Sequence, residues 1–299
     1  MKKIALFEHA NKPEAIQCAE VTIEKLVNHG AECYGTPDFI SKIKPELKKY
    51  VKASSIEDFE KFADVMISFG GDGTMLHAAR LMLKNDIPIL GVNVGKLGFL
   101  AEFSIDKLDE VIFNLVEGNY RVVDRAVIET EYNGEILYAL NDFVIEKRDS
   151  SRMITVRTFS NKHHIADYRA DGLILTTPTG STAYSLSAGG PVLAPSTRVF
   201  CLTPICPHSM NLRPLVIPDT NDVSIITYSP TGESNLVADG QIIRVLPNNQ
   251  PVVFRRSEAV VKLIKPLNSS YYDLLREKLL WAANAVDFNP ELKMKEDSK

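Results

Sequence analysis

The sequence predicts an α/β domain followed by a domain made mainly of antiparallel strands, and three observations predict it. Up to about Arg125, short apolar runs alternate with helical repeats, the pattern of a parallel sheet with crossover helices. Beyond Arg125, strand-like segments are joined by Asn-Gly and Asp-Gly, the strongest short hairpin signals. A single amphipathic segment then stands alone after the last strand.

Residues 4–7 read as a short buried strand, and Ile16, Ala19, Ile23, Leu26 and Val27 recur at helical spacing within residues 14–29 before Gly30 closes the helix. Residues 65–69 form a second apolar strand, followed by a glycine-rich turn, a helical stretch over 75–84 and a third strand over 87–94. Ser104 is placed to cap another helix, with Leu108, Val111, Ile112 and Leu115 on its buried face and Gly118 at its end. In the second half, Asn133-Gly134 joins strands over 126–132 and 136–145. Asp239-Gly240 joins 236–237 to 242–246. The closing helix is expected over 271–286, with Leu274, Leu275, Leu279 and Trp281 on its apolar face.

The bulk numbers narrow the class of function. The chain has 299 residues, 45% hydrophobic and 24% charged, as expected of a globular protein that buries one or two cores. A net charge of −4 provides no general field to gather nucleic acid or an anionic membrane, so neither is an expected partner. No apolar run approaches the roughly 20 residues needed to span a bilayer, and Met1-Lys2-Lys3 leads straight into a strand, so the expected location is the cytoplasm. Cys18, Cys33, Cys201 and Cys206 lack the paired spacing of a structural zinc site. Cys201 and Cys206 with His208 leave a metal conceivable, but reduced thiols are the favoured reading.

Three motifs carry chemistry. Gly70-Gly71-Asp72-Gly73-Thr74 lies between a strand and a helix, where glycines allow close backbone approach and free helix amides suit a phosphate. Asp72 adds a carboxylate that can take a hydroxyl proton or help hold a phosphate-bound metal; its bland alternative is a turn residue, with Thr74 as helix cap. No lysine follows the glycines as in a P-loop, and Glu8-His9-Ala10-Asn11 lacks the glycines of a dinucleotide fingerprint. Residues 176–185 are dense in small and hydroxyl side chains, which suits a loop that bonds a polar ligand, with Tyr184 available to stack on a flat ring. Asn141 and Asp142 interrupt an apolar strand, so at least one of them faces a site or solvent.

Together, these motifs and the later Pro207-His208-Ser209-Met210-Asn211-Leu212-Arg213-Pro214 resemble the bacterial NAD kinase family over most of the chain. The glycine-rich motif alone is shared with diacylglycerol kinases, sphingosine kinases and phosphofructokinases, whereas the threonine-rich segment is far more specific. The resemblance implies a Rossmann-like N-terminal domain that receives the final helix and a β-sandwich-like C-terminal domain, with the active site between them. The corresponding boundaries are 1–125 with 270–290, then 126–269 as the NAD-binding domain, and a flexible tail over 291–299.

The implied reaction is ATP-dependent phosphorylation of the adenosine ribose of NAD, supported by a divalent cation, magnesium, with no protein metal ligands assigned. By the same carry-over Asp72 accepts the proton of the ribose 2′-hydroxyl, Gly73 lines the pocket, His77 lies near bound nucleotide, and Gly70, Gly71, Gly73 and Thr74 face the ATP phosphates. Asn141 and Asp142 contact the adenosine part of NAD. Asp171 and Ala183 recognise the nicotinamide side, and Thr182, Tyr184, Ser185, Leu186 and Ser187 complete that pocket. Arg152, Arg169 and Gln241 fall at ligand-contact positions. Many family members have Glu at the position of Asp142, so the carboxylate here is one methylene shorter, and arginine at 169 implies preference for NAD over NADH. A homo-oligomer, tetramer or dimer, is also implied. The competing readings are a lipid or sphingoid kinase, which needs an apolar tunnel, and a non-catalytic NAD-binding regulator.

Overall fold

The computed structural model describes residues 1–8, 12–83, 85–95, 98–148 and 152–280. It begins with β1 (Lys3–Glu8), α1 (Pro13–Asn28), β2 (Glu32–Gly35), α2 (Pro37–Lys42), α3 (Pro45–Lys48) and β3 (Val51–Ala53). After β3 come β4 (Val65–Phe69), α4 (Asp72–Leu81), β5 (Ile89–Asn93), the two-residue β6 (Phe103–Ser104), α5 (Leu108–Glu117) and β7 (Arg121–Arg125). The apolar spacing read in α1 buries Ala19, Ile23 and Leu26 completely, and Gly30 follows the helix with φ 73°. Ser104 caps a single 3-10 turn that runs into α5, and Gly118 ends α5 in the left-handed region as expected.

β1 to β5 pair in the order β3-β2-β1-β4-β5, all parallel. The chain therefore moves outward from β1 in one direction through β2 and β3, then restarts on the other side at β4. Ligands in open parallel sheets bind at such a reversal, outside the carboxyl ends of the strands. The glycine-rich turn at the end of β4 stands at that place.

The second half contains β8 (Ile128–Tyr132), β9 (Glu135–Ala139), β10 (Asp142–Lys147), β11 (Ile154–Ser160), β12 (His163–Ala170), β13 (Gly172–Thr176) and α5's successor α6 (Tyr184–Ser187). β14 (Val199–Ile205), β15 (Leu215–Pro218), β16 (Val223–Tyr228), β17 (Glu233–Ala238), β18 (Ile242–Pro247) and β19 (Pro251–Arg256) follow. They form two six-stranded antiparallel sheets, β15-β14-β13-β10-β17-β18 and β12-β11-β16-β19-β8-β9. Phe143, Leu175, Phe200 and Leu236 from one sheet share a core with Ile128, Val156, Ile225 and Phe254 from the other, so the sheets form a sandwich. Each such large apolar side chain contributes about 1.5–3 kcal/mol when withdrawn from water.

Both hairpins form as read. Asn133 and Gly134, and likewise Asp239 and Gly240, have positive φ at both central positions, the requirement of a tight hairpin turn. The predicted strand over 136–145 is instead two strands, because the chain leaves one sheet at Ala139 and enters the other at Asp142. β20 (Val261–Lys265), read above within the β-rich segment, returns to the first sheet. There it lies parallel to β5 and antiparallel to β7, completing the order β3-β2-β1-β4-β5-β20-β7. These elements form one compact unit, Met1–Leu267.

The second unit begins at Asn268 and holds α7 (Tyr271–Leu279). Ser270 and Asp273 form a reciprocal capping box at its start, and Leu274 and Leu275 are buried. The expected continuation to 286, Trp281 and the tail over 291–299 lie outside the described residues. No helix of the described residues is long and apolar enough to cross a membrane.

Candidate active site

Gly71 is the residue before the first turn of α4, so Asp72 opens the helix rather than preceding it, and Thr74 lies inside the first turn. The cap has no side-chain hydrogen bond, which leaves the helix start to backbone groups. Gly70 must be glycine: its φ is 156°, and a Cβ there would lie 2.3 Å from Thr74 Oγ1.

The Asp72 carboxylate is held by a turn that follows β5. Phe99 N–H donates to Oδ2 at 2.8 Å, and Leu100 and Ala101 N–H donate to Oδ1 at 3.0 and 3.1 Å. Gly98 lies flat against the same carboxylate, where a Cβ would come within 1.8 Å of Oδ1. Neither this turn nor its role follows from the glycine-rich motif, although Gly95 and Gly98, within five residues of a buried strand, were a readable hint of a turn. Gly98→Ala is expected to push the carboxylate out of its three-amide seat and lower turnover about 100-fold, as small misplacements of a reacting group do. Steady-state kinetics beside a thermal melt check it, and unchanged kcat would show that the seat is irrelevant to the reaction.

His77, one turn further along α4, stacks on Phe7 at 5.7 Å between ring centroids. The two border a cleft of about 360 Å³ with Glu8, Thr36, Lys42 and Ile56, over the carboxyl ends of β1 and β2. Arg80, a turn beyond, donates to Gln241 Oε1 at 2.9 Å, and Gln241 Nε2 donates back to Gly73 carbonyl at 3.2 Å. The β17–β18 hairpin is thereby fastened to the glycine-rich helix start.

The same hairpin organises Asn141 and Asp142. Asp239, at its tip, accepts N–H bonds from Leu140, Asn141 and Asp142 at 3.0, 2.7 and 3.1 Å and donates its own N–H to the Asp142 carbonyl. This is why the strand breaks at 140–141. Asp142 is 4% exposed, and Asn141 is half-buried. Burial, and secondarily the neighbouring Asp239 charge, push the Asp142 carboxyl up to about 7. Burial also raises Asp239, against the three amides and Arg80, which favour its ionised form. The sequence showed Asp239 only as a turn residue.

The threonine-rich segment differs from its reading in one respect. Thr176, Thr177, Ser181 and Ser185 are fully buried, and their hydroxyls bond the protein itself. Thr176 donates to the Asn141 carbonyl at 3.0 Å, Thr177 to the Leu140 carbonyl at 2.6 Å, and Ser181 to the Pro178 carbonyl at 2.7 Å. Ser185, expected at a ligand pocket, is buried, and its Oγ lies 2.8 Å from Thr203 Oγ1. Dense hydroxyls here weld the loop to the corner that carries Asn141.

Thr182, Ala183 and Leu186 are half-exposed, Tyr184 and Ser187 are exposed, and α6 packs through Ala188 on the outer face of β10, β13 and β17. Strand alternation puts Asp142 and Glu146 on that face, since Phe143 and Ile145 point into the sandwich. Tyr184 titrates above its usual range through burial first, then through Glu146, Cys206, Asp142 and Asp171, so these groups share one locality. Asp171 is ion-paired with Lys147 at 2.6 Å, a partner the sequence did not suggest. Arg152 and Arg169 are exposed, and the Arg169 carbonyl accepts from His208 N–H at 2.8 Å. Burial raises the Cys18, Cys33 and Cys201 thiols, the first two to about 11 and 12, which keeps them neutral and poor ligands.

Among the described residues no group of three or more His, Cys, Asp or Glu could hold a metal ion. With both Asp72 oxygens already bonded to amides, the donor set suits a cation that arrives carried by phosphate oxygens and water, not one held in a protein cage.

Residues 4–120 match the model of the ATP-NAD kinase N-terminal domain, and residues 140–266 that of the ATP-NAD kinase C-terminal domain. The NAD kinase of Bacteroides fragilis (strain ATCC 25285) is 39% identical over 288 residues, 95% of this chain and 99% of its own. Those of Porphyromonas gingivalis (strain W83) and Geobacter sp. (strain M21) are 39% and 38% identical over 286 and 289 residues, covering 95% and 94% of this chain and 99% of theirs. Yeast NADH kinase, solved with NADH, superposes with a TM-score of 0.83 at 23% identity, covering 97% of this chain and 90% of its own. An Archaeoglobus fulgidus NAD kinase in complex with ATP gives 0.73 at 25% identity, covering 92% and 98%.

An α/β sheet with a glycine-rich helix start at its reversal point, set on an antiparallel sandwich, is thus the fold of a class of phosphotransferases. The chain belongs to the ATP-NAD kinase family. It is an enzyme that phosphorylates NAD to NADP.

Proposed function

We propose that the chain transfers the terminal phosphoryl group of ATP to the 2′-hydroxyl of the adenosine ribose of NAD, with Asp72 as the group that orients this hydroxyl and takes its proton. The observation that carries the assignment is the seat of Asp72 at the start of α4. Three amides fix the carboxylate, two on Oδ1 and one on Oδ2, and each carboxylate oxygen has about two acceptor positions. Oδ2 therefore keeps one position open, and that atom is the assigned proton acceptor. An ordinary aspartate, pKa about 3.9, is a weak base toward an alcohol. The proton moves late, as the bond to phosphorus forms, and alignment does most of the work.

Gly70 and Thr74 N–H already donate to the Val92 and Gly71 carbonyls, so the amides of Gly71, Asp72 and Gly73 at the helix start would receive phosphate oxygens. Asn141 and Asp142 would hold the adenosine ribose, and Asp171, Thr182, Ala183, Tyr184, Leu186 and Ser187 the nicotinamide side. His77 and Gln241 would border the nucleotide, and Arg152 and Arg169 its edge. A divalent cation, magnesium in this proposal, would neutralise charge on the ATP phosphates. Cytoplasmic location and a homo-oligomeric assembly belong to the same reading. Exposed Ile243 and Val245 on β18, an edge strand, are the features that favour association.

Incubating the purified protein with magnesium-ATP and NAD, and coupling NADP to a strictly NADP-dependent dehydrogenase, is expected to give steady product formation. Calorimetric binding of NAD without any ATP-dependent product would replace this reading with that of a regulator.

A further inference from the structure

We propose that Lys265, paired with Glu102, is a positioning residue for the phosphoryl transfer, acting through the turn that seats Asp72. The proposal rests on the assignment of Asp72 above. Lys265 ends β20 and is 1% exposed, one of the largest fully buried side chains in the described protein. Withdrawing an ammonium from water is costly unless it is paired and hydrogen-bonded. Here it is ion-paired to Glu102, and the two side chains are 2% and 6% exposed. The remaining bond defines the role: Nζ donates to the Leu100 carbonyl at 3.2 Å.

That carbonyl belongs to the peptide unit whose N–H, on Ala101, donates to Asp72 Oδ1 at 3.1 Å. A single peptide group thus stands between a buried cation and the reacting carboxylate, accepting from one and donating to the other. Hydrogen bonds in series polarise each other, so the lysine strengthens the Ala101 donor as well as fixing its direction. The next amide on Asp72, from Leu100, is held by the same turn at 3.0 Å. Burial lowers Lys265 below its usual range, while Glu102 and also Asp72 favour its charged form and Arg125 opposes it.

The test compares kcat, the KM values for NAD and ATP, and the melting temperature in four full-length proteins: wild type, Lys265→Met, Lys265→Met/Glu102→Gln, and Lys265→Met in an Asp72→Asn background. Lys265→Met alone leaves Glu102 buried without its partner and is expected to melt earlier. The double variant removes both charges and restores most of the melting temperature. Its kcat is expected to stay about 10–100-fold low with KM values within about threefold, the mark of a misplaced reacting group. In the Asp72→Asn background, loss of Lys265 is expected to change kcat less than about twofold, because the two act as one unit. Recovery of kcat together with the melting temperature in the double variant would overturn the proposal and leave Asp72 untouched. Normal turnover in Asp72→Asn itself would overturn both.

Discussion

Asp72→Asn is expected to lower kcat by about 10²–10⁴-fold, the range typical of losing a positioned acid or base, with the Kd for NAD changed less than about threefold. The variant is not silent for the fold. Asparagine keeps one acceptor oxygen for Leu100 and Ala101 but turns an NH₂ toward the Phe99 amide, which now donates at 2.8 Å. One part-buried donor loses its acceptor, at a cost of about 1 kcal/mol. A lowered melting temperature is therefore part of the expected result, and kinetics belong well below it. Isothermal calorimetry for NAD beside the coupled assay separates the two effects. Turnover within tenfold of wild type in a folded variant would remove Asp72 from the chemistry and leave it as the anchor of the 99–101 turn.

Asp142→Asn is expected to weaken NAD while steadying the ligand-free protein. The folded state holds the Asp142 carboxyl near 7, through burial first and Asp239 second, against an ordinary value of 3.8. A raised carboxyl binds its proton more tightly when folded, so its contribution to stability is complete below about 4 and is lost as pH rises through about 7. Each unit of displacement corresponds to about 1.4 kcal/mol. Asparagine carries no such charge. The wild-type melting temperature should accordingly fall relative to that of Asp142→Asn between pH 5 and pH 8, by about 2–4 °C for each kcal/mol recovered. KM for NAD should rise about tenfold in the variant, the value of one hydrogen bond to a charged group. Melting curves that stay parallel across this range would show that Asp142 is not held protonated.

The two predictions describe opposite designs for a carboxylate. Asp72 sits at a helix start with three amides on it, so its charge is supported locally. Asp142 is buried beside a second carboxylate, with the amides of that corner turned toward Asp239 instead. Its ionised form awaits a partner, and a ribose hydroxyl donating to it would be one. An unligated cost of this kind is what a carboxylate reserved for a ligand would carry.

The elements with strong local signals were legible in the sequence. The 3.6-residue period of α1, the Gly118 terminus of α5 and the two hairpins at Asn133-Gly134 and Asp239-Gly240 all form where their residues place them. The short strands β2 and β3 were not, because three or four residues carry too little periodicity to read. The hydroxyl-rich segment was legible but its partners were not: density of Ser and Thr signals hydrogen bonding, and sequence does not say whether the partner is ligand or backbone. Here Thr176, Thr177, Ser181 and Ser185 bond within the protein.

What the sequence alone determined was the α/β-then-antiparallel plan, the glycine-rich helix start with Asp72, and the family, since these depend on local periodicity and on contiguous motifs. What only the tertiary structure decided was who touches those motifs. Asp239 reaches back 97 to 99 residues to seize the corner at 140–142, and Lys265 reaches back 165 to the turn above Asp72. Gln241 spans 168 residues to Gly73. Such pairings arise because β20 re-enters the first sheet and the β17–β18 hairpin folds onto α4, and no spacing along the chain encodes a contact made by strand order.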